Sequence, residues 1–203
     1  QISIIELLQK RGKLDEEKMV KIIEKFKSSS ETLKERINLL RNFYKVLIND
    51  PHFPTVENAI MSACYQFEND AYQDGVTINY DLVSELESEV PSNQIFLVVK
   101  HLMQNSLEAI KASKSDGGEI KVSSKKDGES LQVSISDSGT GLMCDLPMAM
   151  ELGYTTKATK TGGTGLALIS KVLKEHKLEL AYSRNSETEF SFHLPLKEMA
   201  KEE

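Results

Sequence analysis

The 203-residue chain has little that would tie it to nucleic acid, a disulfide frame or a bilayer. Two cysteines occur, Cys64 and Cys144. They are too few and too unpatterned for a disulfide scaffold or a zinc site, so reduced thiols in a cytoplasmic setting are expected. There is no basic excess: 25 Lys and Arg stand against 31 Asp and Glu, a net charge of -6. That balance excludes a surface built to coat nucleic acid. No apolar run approaches the ~20 residues of a membrane span, and no secretory signal is visible. Membrane attachment, if any, is expected only through a sensor segment upstream. Internal repeats and low-complexity runs are absent as well. The length fits one large or two small domains. The chain opens with Gln1, and the ISIIELLQK that follows already reads as helix, so a longer protein continuing upstream is expected.

What is present begins with a heptad seam. After a turn near Gly12, Asp15 is a good N-cap, and Glu16 and Glu17 suit the first turn of a helix. That helix is expected to run to about residue 48. Its apolar positions are Met19, Ile23, Phe26, Leu33, Ile37, Leu40, Tyr44 and Leu47, with Ser30 in the one gap. They alternate by four and three. Such a stripe also fits a helix lying on its own domain. The charges on the other faces, and the separate domain that follows, favour a helical hairpin over 1–50. Such a hairpin self-associates as a homodimeric four-helix bundle.

Asn49, Asp50, Pro51 and Pro54 read as a linker. Beyond it, 55–70 reads as an amphipathic helix, 75–82 as a strand, and Ile95–Ala112 as a strongly apolar helix. Glu119–Ser124 and Leu131–Asp137 read as a hairpin turning at Lys-Lys-Asp-Gly. A mostly irregular stretch spans Gly139 to Gly163, a helix covers Leu166–His176, and a last hairpin joins Leu178–Ser183 to Glu189–Leu194. Mixed helices and consecutive strand hairpins predict an α+β domain over 51–203, with helices layered on a mixed sheet.

Four segments of this domain carry chemistry, in the order HLMQNSLEA, ISDSGTGL, GYTTK and TGGTGLAL. In the first, His101, Asn105 and Glu108 fall at helical spacings of four and three and share a face. For an isolated helix a solvated face is the commoner reading. In company with the other segments, Asn105 offers a neutral oxygen to Mg²⁺, which takes oxygen ligands and phosphates together. In the second, Asp137 ends an apolar strand, where its carboxylate can accept a bond from a nucleobase amino group. Gly139 and Gly141 follow, leaving room for a ligand near the backbone. The third lies in the longest connection of the domain, and long loops in compact domains are commonly functional. Lys157 and Lys160 suit a polyphosphate there, or else are solvated loop lysines. The fourth opens a helix, whose first-turn N–H groups form an anion site. The GxxxxGK[ST] loop is absent.

Over about 55–196 this ordered set resembles the ATP-binding domain of the GHKL superfamily, and within it the sensor histidine kinases. The resemblance implies a two-layer α/β sandwich of Bergerat type. Its cofactors are ATP and Mg²⁺, with Asn105 as the metal ligand. His101, expected with Asn105 to be catalytic, stands where histidine kinases carry Asn or His and the hydrolytic members carry Glu. Asp137, Gly139 and Gly141 match the first glycine box, and Thr156, Lys157 and Lys160 the lid. Gly163, Thr164, Gly165 and Leu166 match the second glycine box, and Thr188 the threonine near adenine. Glu108, counted with the nucleotide-binding residues, departs from the usual Lys or Arg, although Asn105-Ser106-Leu107-Glu108-Ala109 nearly copies the NAxEA of kinases resembling the nitrogen-regulation sensors. Tyr154 replaces the usual lid Phe.

None of His52, His101, His176 and His193 sits in a phosphoacceptor box, so the acceptor is expected just upstream of Gln1. The implied activity is transfer of the ATP γ-phosphoryl group to that histidine, and thence to an aspartate of a response-regulator receiver domain. The alternatives are a dimeric scaffold with a vestigial ATP domain, an anti-sigma-type serine kinase, and a gyrase-like ATPase. Intact glycines and Asn105 argue against the first. The second leaves the heptad hairpin unexplained, and the third is disfavoured by His101.

Overall fold

A computed structural model describes residues 20–30, 52–113, 116–151 and 165–197. The chain divides into two compact units, Gln1–Tyr44 and Lys45–Glu203. In the first unit the described segment, 20–30, is helical throughout (α1). Its seam residues Ile23 and Phe26 are 49% and 58% exposed. The rest of the expected hairpin lies outside the described residues.

The second unit is an α+β sandwich. Its described elements are α2 (Val56–Cys64), a 3-10 turn (Tyr65–Phe67), α3 (Glu68–Gln73), β1 (Val76–Asp81) and α4 (Ser92–Ala112). There follow β2 (Gly118–Asp127), β3 (Ser130–Asp137), α5 (Leu146–Ala149), α6 (Gly165–Glu175), β4 (Ala181–Arg184) and β5 (Thr188–Pro195). The strands form one mixed sheet in the order β1-β2-β3-β5-β4, with β1 parallel to β2 and every other pair antiparallel.

Local chemistry explains the element ends. Thr55 caps α2 by accepting the Asn58 N–H at 3.1 Å, and Glu57 sits in the first turn. The helix expected over 55–70 is broken by the 3-10 turn and resumes to Gln73. The first hairpin turns later than expected. Asp127 pairs with Ser130, so Lys125, Lys126 and Asp127 are strand and the loop is the two residues Gly128-Glu129. The polar run looked like a turn, but it lies on the two-sided end of a strand that simply continues past the core. Asp145 caps the short α5 within the stretch expected to be irregular.

The core lies between the sheet and α2, α4 and α6. Ile120, Val122, Leu131, Val133, Ile135, Phe192 and Leu194 of the sheet, Leu102, Met103 and Ile110 of α4, Ile60 of α2, and Ile169 and Leu173 of α6 fill it, with α4 packed on β2 and β3 and flanked by α2 and α6. All are buried. Truncating one of the larger of them to Ala costs about 2–5 kcal/mol. The linker is stapled to the same helix: Phe53 stacks on Phe96 with ring centroids 5.4 Å apart, and its N–H donates to Ser92 Oγ at 3.0 Å.

α6 ends in a Schellman arrangement. The Leu178 N–H donates to the Leu173 carbonyl and the Lys177 N–H to the Lys174 carbonyl. Lys177 occupies the left-handed position at φ 58, where a side chain is strained. Lys177→Gly is therefore expected to stabilise the domain by about 0.5–1 kcal/mol, the strain relieved less the added freedom of the unfolded chain. Urea unfolding checks this, and a loss of stability would contradict it.

Candidate functional site

Strand β3 alternates so that Leu131, Val133, Ile135 and Asp137 share the core face, none more than 2% exposed. A carboxylate ending an apolar row needs donors from the protein. Ser106 Oγ of α4 donates to Asp137 Oδ2 at 2.9 Å, and the Gly139 backbone N–H donates to Oδ1 at 2.9 Å. Burial pushes the carboxyl above its usual range. The Ser106 and Gly139 hydrogen bonds and the Arg184 guanidinium oppose that rise.

The loop after β3 lies directly on α4. A Cβ at Gly139 would fall 2.6 Å from Ala109, closer than any side chain tolerates, and the Thr140 N–H donates to the Ala109 carbonyl at 3.3 Å. Gly141 has φ +70, a conformation natural to glycine. A Cβ there would fall 2.9 Å from Arg184 Nη1 and 3.0 Å from Thr188 Oγ1. Thr188 is the cross-strand partner of Asp137, and its buried Oγ1 has no hydrogen-bond partner. The strand pair thus sets an acceptor carboxylate and an uncommitted hydroxyl side by side. The Leu142 N–H, donating to Tyr182 Oη at 3.0 Å, ties the loop to β4.

The second half of the cluster is where α6 begins. A Cβ on Gly165 would lie 3.6 Å from His101 Nδ1 and 3.8 Å from Asn105 Oδ1. The first residue of one helix therefore abuts the side chains of another, with the N–H groups of that first turn close by. Asn105 Nδ2 is buried without a partner. Burial, with a lesser contribution from Lys100, lowers the His101 pKa to about 4, so the imidazole is neutral at pH 7.

The structure brings together Asp137, Gly139, Gly141 and Thr188, and separately His101, Asn105 and Gly165. Both groups are mounted on α4, and Leu166 lies in the first turn of α6. Glu108 faces elsewhere: it accepts from Gln104 Nε2 at 3.1 Å and lines a groove of about 360 Å³ with Phe67, Asp70, Lys100 and Lys111. Thr156, Lys157, Lys160, Gly163 and Thr164 lie outside the described residues, as does Tyr154. Sequence reasoning passed over Ser106. The signal was there, since Ser106 falls on the apolar stripe between Met103 and Ile110, where a hydroxyl must find a partner.

Among the described residues no group of three or more His, Cys, Asp and Glu could hold a metal ion. The residues nonetheless fit Mg²⁺ of the kind that travels with phosphates. Asn105 is half-buried, and its buried Nδ2 has no hydrogen-bond partner, so turning the amide to present its oxygen would break no bond of that nitrogen.

Residues 91–198 match the family model described as histidine kinase-, DNA gyrase B-, and HSP90-like ATPase. No curated protein matches in sequence. Among solved structures the fold is similar to the catalytic domain of histidine kinase ThkA, at TM-score 0.59 and 23% identity over 70% of this chain and 93% of that one. It is similar to the Acinetobacter baumannii histidine kinase AdeS at TM-score 0.54 and 19% identity, over 96% and 94% of the two chains. Full-length ShkA in complex with AMPPNP matches at TM-score 0.61 and 16% identity, over 90% of this chain and 40% of that one.

The His101 environment makes a pH prediction for the protein without nucleotide. Its folded pKa of about 4 lies below the ordinary 6.5, so on acidification the unfolded chain takes up the proton first. The stability contribution of the neutral imidazole is complete above about 6.5 and is lost as pH falls toward about 4. The loss from this residue amounts to about 3 kcal/mol. His101→Gln should flatten that part of the profile in urea unfolding at pH 7 and pH 4.5. An unchanged slope would contradict the assignment.

Proposed function

Since the chain belongs to the histidine kinase-, DNA gyrase B- and HSP90-like ATPase family, we propose that it is the ATP-binding catalytic core of a two-component sensor histidine kinase. The observation that carries the reading is the mounting of both half-sites on α4: Asp137 and Thr188 beside the Gly139–Gly141 loop, and Asn105 and His101 beside Gly165.

Adenine would lie against Asp137, whose carboxylate accepts from the exocyclic amino group, with the Thr188 hydroxyl free to meet a ring nitrogen. Gly139 and Gly141 keep side chains out of its way. The phosphates would lie toward the start of α6, where Gly165, Leu166 and the neighbouring Gly163 and Thr164 supply backbone donors. Lys157, Lys160 and Thr156 of the lid add charge and hydrogen bonds. Asn105 would hold a Mg²⁺ that arrives with the phosphates, and the ion would supply charge neutralisation when bound. Glu108, held by Gln104, is not assigned to the phosphates.

Phosphoryl transfer depends on positioning and charge neutralisation, so this domain requires no nucleophile of its own. His101 is neutral, and its conjugate acid is too strong for it to extract a proton from water efficiently at pH 7. That suits a kinase, which must keep ATP from water until the acceptor arrives. The acceptor is a histidine of the dimerisation helices, and a receiver-domain aspartate takes the phosphoryl group next. His176 is not a candidate: its Nε2 is 2.6 Å from Gln94 Oε1. The exposed Ile23 and Phe26 of α1 supply the apolar seam for a homodimer in which 1–50 forms the helical hairpin and 51–203 the catalytic domain.

Calorimetric titration with Mg-ATP tests the assignment. Asn105→Ala removes the metal ligand and Asp137→Asn the base acceptor, and each should weaken binding by about 1–3 kcal/mol with the circular dichroism unchanged. Phosphate release in the same samples should be slow. Unaltered affinity in both variants would refute the pocket, and fast hydrolysis would move the chain to the hydrolytic branch of the family.

A further inference from the structure

Ser106 is 1% exposed at the middle of α4, on the stripe that otherwise carries Leu102, Met103 and Ile110. Packing alone gives no reason for a hydroxyl there; alanine would fill the space and favour the helix more. What the hydroxyl does is donate its single proton to Asp137 Oδ2. The other carboxylate oxygen receives the Gly139 backbone N–H, which can only donate. We infer that Ser106 is a positioning residue that sets the purine preference of the pocket, by holding Asp137 as a pure acceptor that favours a 6-amino over a 6-oxo purine. This rests on the nucleotide-pocket reading above.

With a donor on each oxygen, the carboxylate has only lone pairs left to turn toward a ligand. An amino group at purine position 6 supplies the proton those lone pairs need. A carbonyl oxygen at the same position would set acceptor against acceptor. The neighbouring Thr188 hydroxyl does not discriminate, because it can donate or accept and has no fixed partner. Without the Ser106 hydroxyl, Oδ2 would lose its side-chain donor, and the carboxylate would no longer be fixed in the geometry that meets a 6-amino group. A 6-oxo purine never makes the bond that this carboxylate offers, so it loses less when the carboxylate is no longer held in place.

The test is the ratio of Mg-ATP to Mg-GTP affinity, by calorimetry on the whole chain, for the wild type and Ser106→Ala. The wild type should prefer ATP. Ser106→Ala should weaken ATP binding by about tenfold, the scale of one hydrogen bond to a charged group, and GTP binding by less. The ratio therefore falls, which mere loosening of the site would not achieve. Ser106→Cys, nearly the same size with a far weaker donor, should lower the ratio in the same direction and decides the matter if the alanine variant is unfolded. Equal weakening of both nucleotides, or a wild type without preference, would overturn the inference about Ser106. A wild type that binds neither nucleotide would instead overturn the pocket reading beneath it.

Discussion

The buried carboxylate of Asp137 is the constraint around which the rest of the domain is arranged. It occupies the position where the apolar row of β3 would place one more aliphatic side chain. An ionised group there is costly unless donors reach it. The donors come from two directions, a serine on the helix above and a backbone amide in the loop that follows. Both demands shape the fold. The serine hydroxyl pulls α4 into register with the end of β3. The amide bond requires the chain to double back at once, which brings Gly139 against Ala109 with no room for a side chain. The site is thus a direct consequence of seating one charge on the wrong face of a sheet.

α4 is the common mount for everything else. Its first turns hold the linker through Ser92 and Phe96, and Gln94 meets His176 just past the end of α6. Its middle carries His101, Asn105 and Ser106, and Ala109 near its end supports the glycine loop. A 21-residue helix packed on the sheet is stiff.

Much of this was legible in the sequence, because the governing patterns are local. The alternation of 131–137 exposed the core face of β3, and the 3.6-residue stripe of HLMQNSLEAI exposed that of α4. The glycines after Asp137 were read as room for a ligand, whereas the approach that Gly139 makes is to Ala109 of α4, a tertiary contact that the sequence does not display. Less legible features depend on tertiary context. The hairpin turn was misplaced because Lys125, Lys126 and Asp127 look like loop until their pairing to β3 is seen. Gln104, four residues before Glu108, is visible on a helical wheel, but the groove against α3 that Glu108 lines is not. Ser106 was readable as a polar residue on an apolar stripe. Its partner, 31 positions away, was not.

The central claim is that base and phosphates are bound along α4, from the end of β3 to the start of α6. Its most direct test is amide chemical-shift mapping by NMR as Mg-ATP is added to the labelled protein. The account predicts the largest changes at Gly139, Gly141, Thr188 and Gly165, where the backbone would lie against the ligand. Changes confined instead to the Phe67–Asp70 groove, around Lys100 and Lys111, with those four amides unmoved, would contradict it.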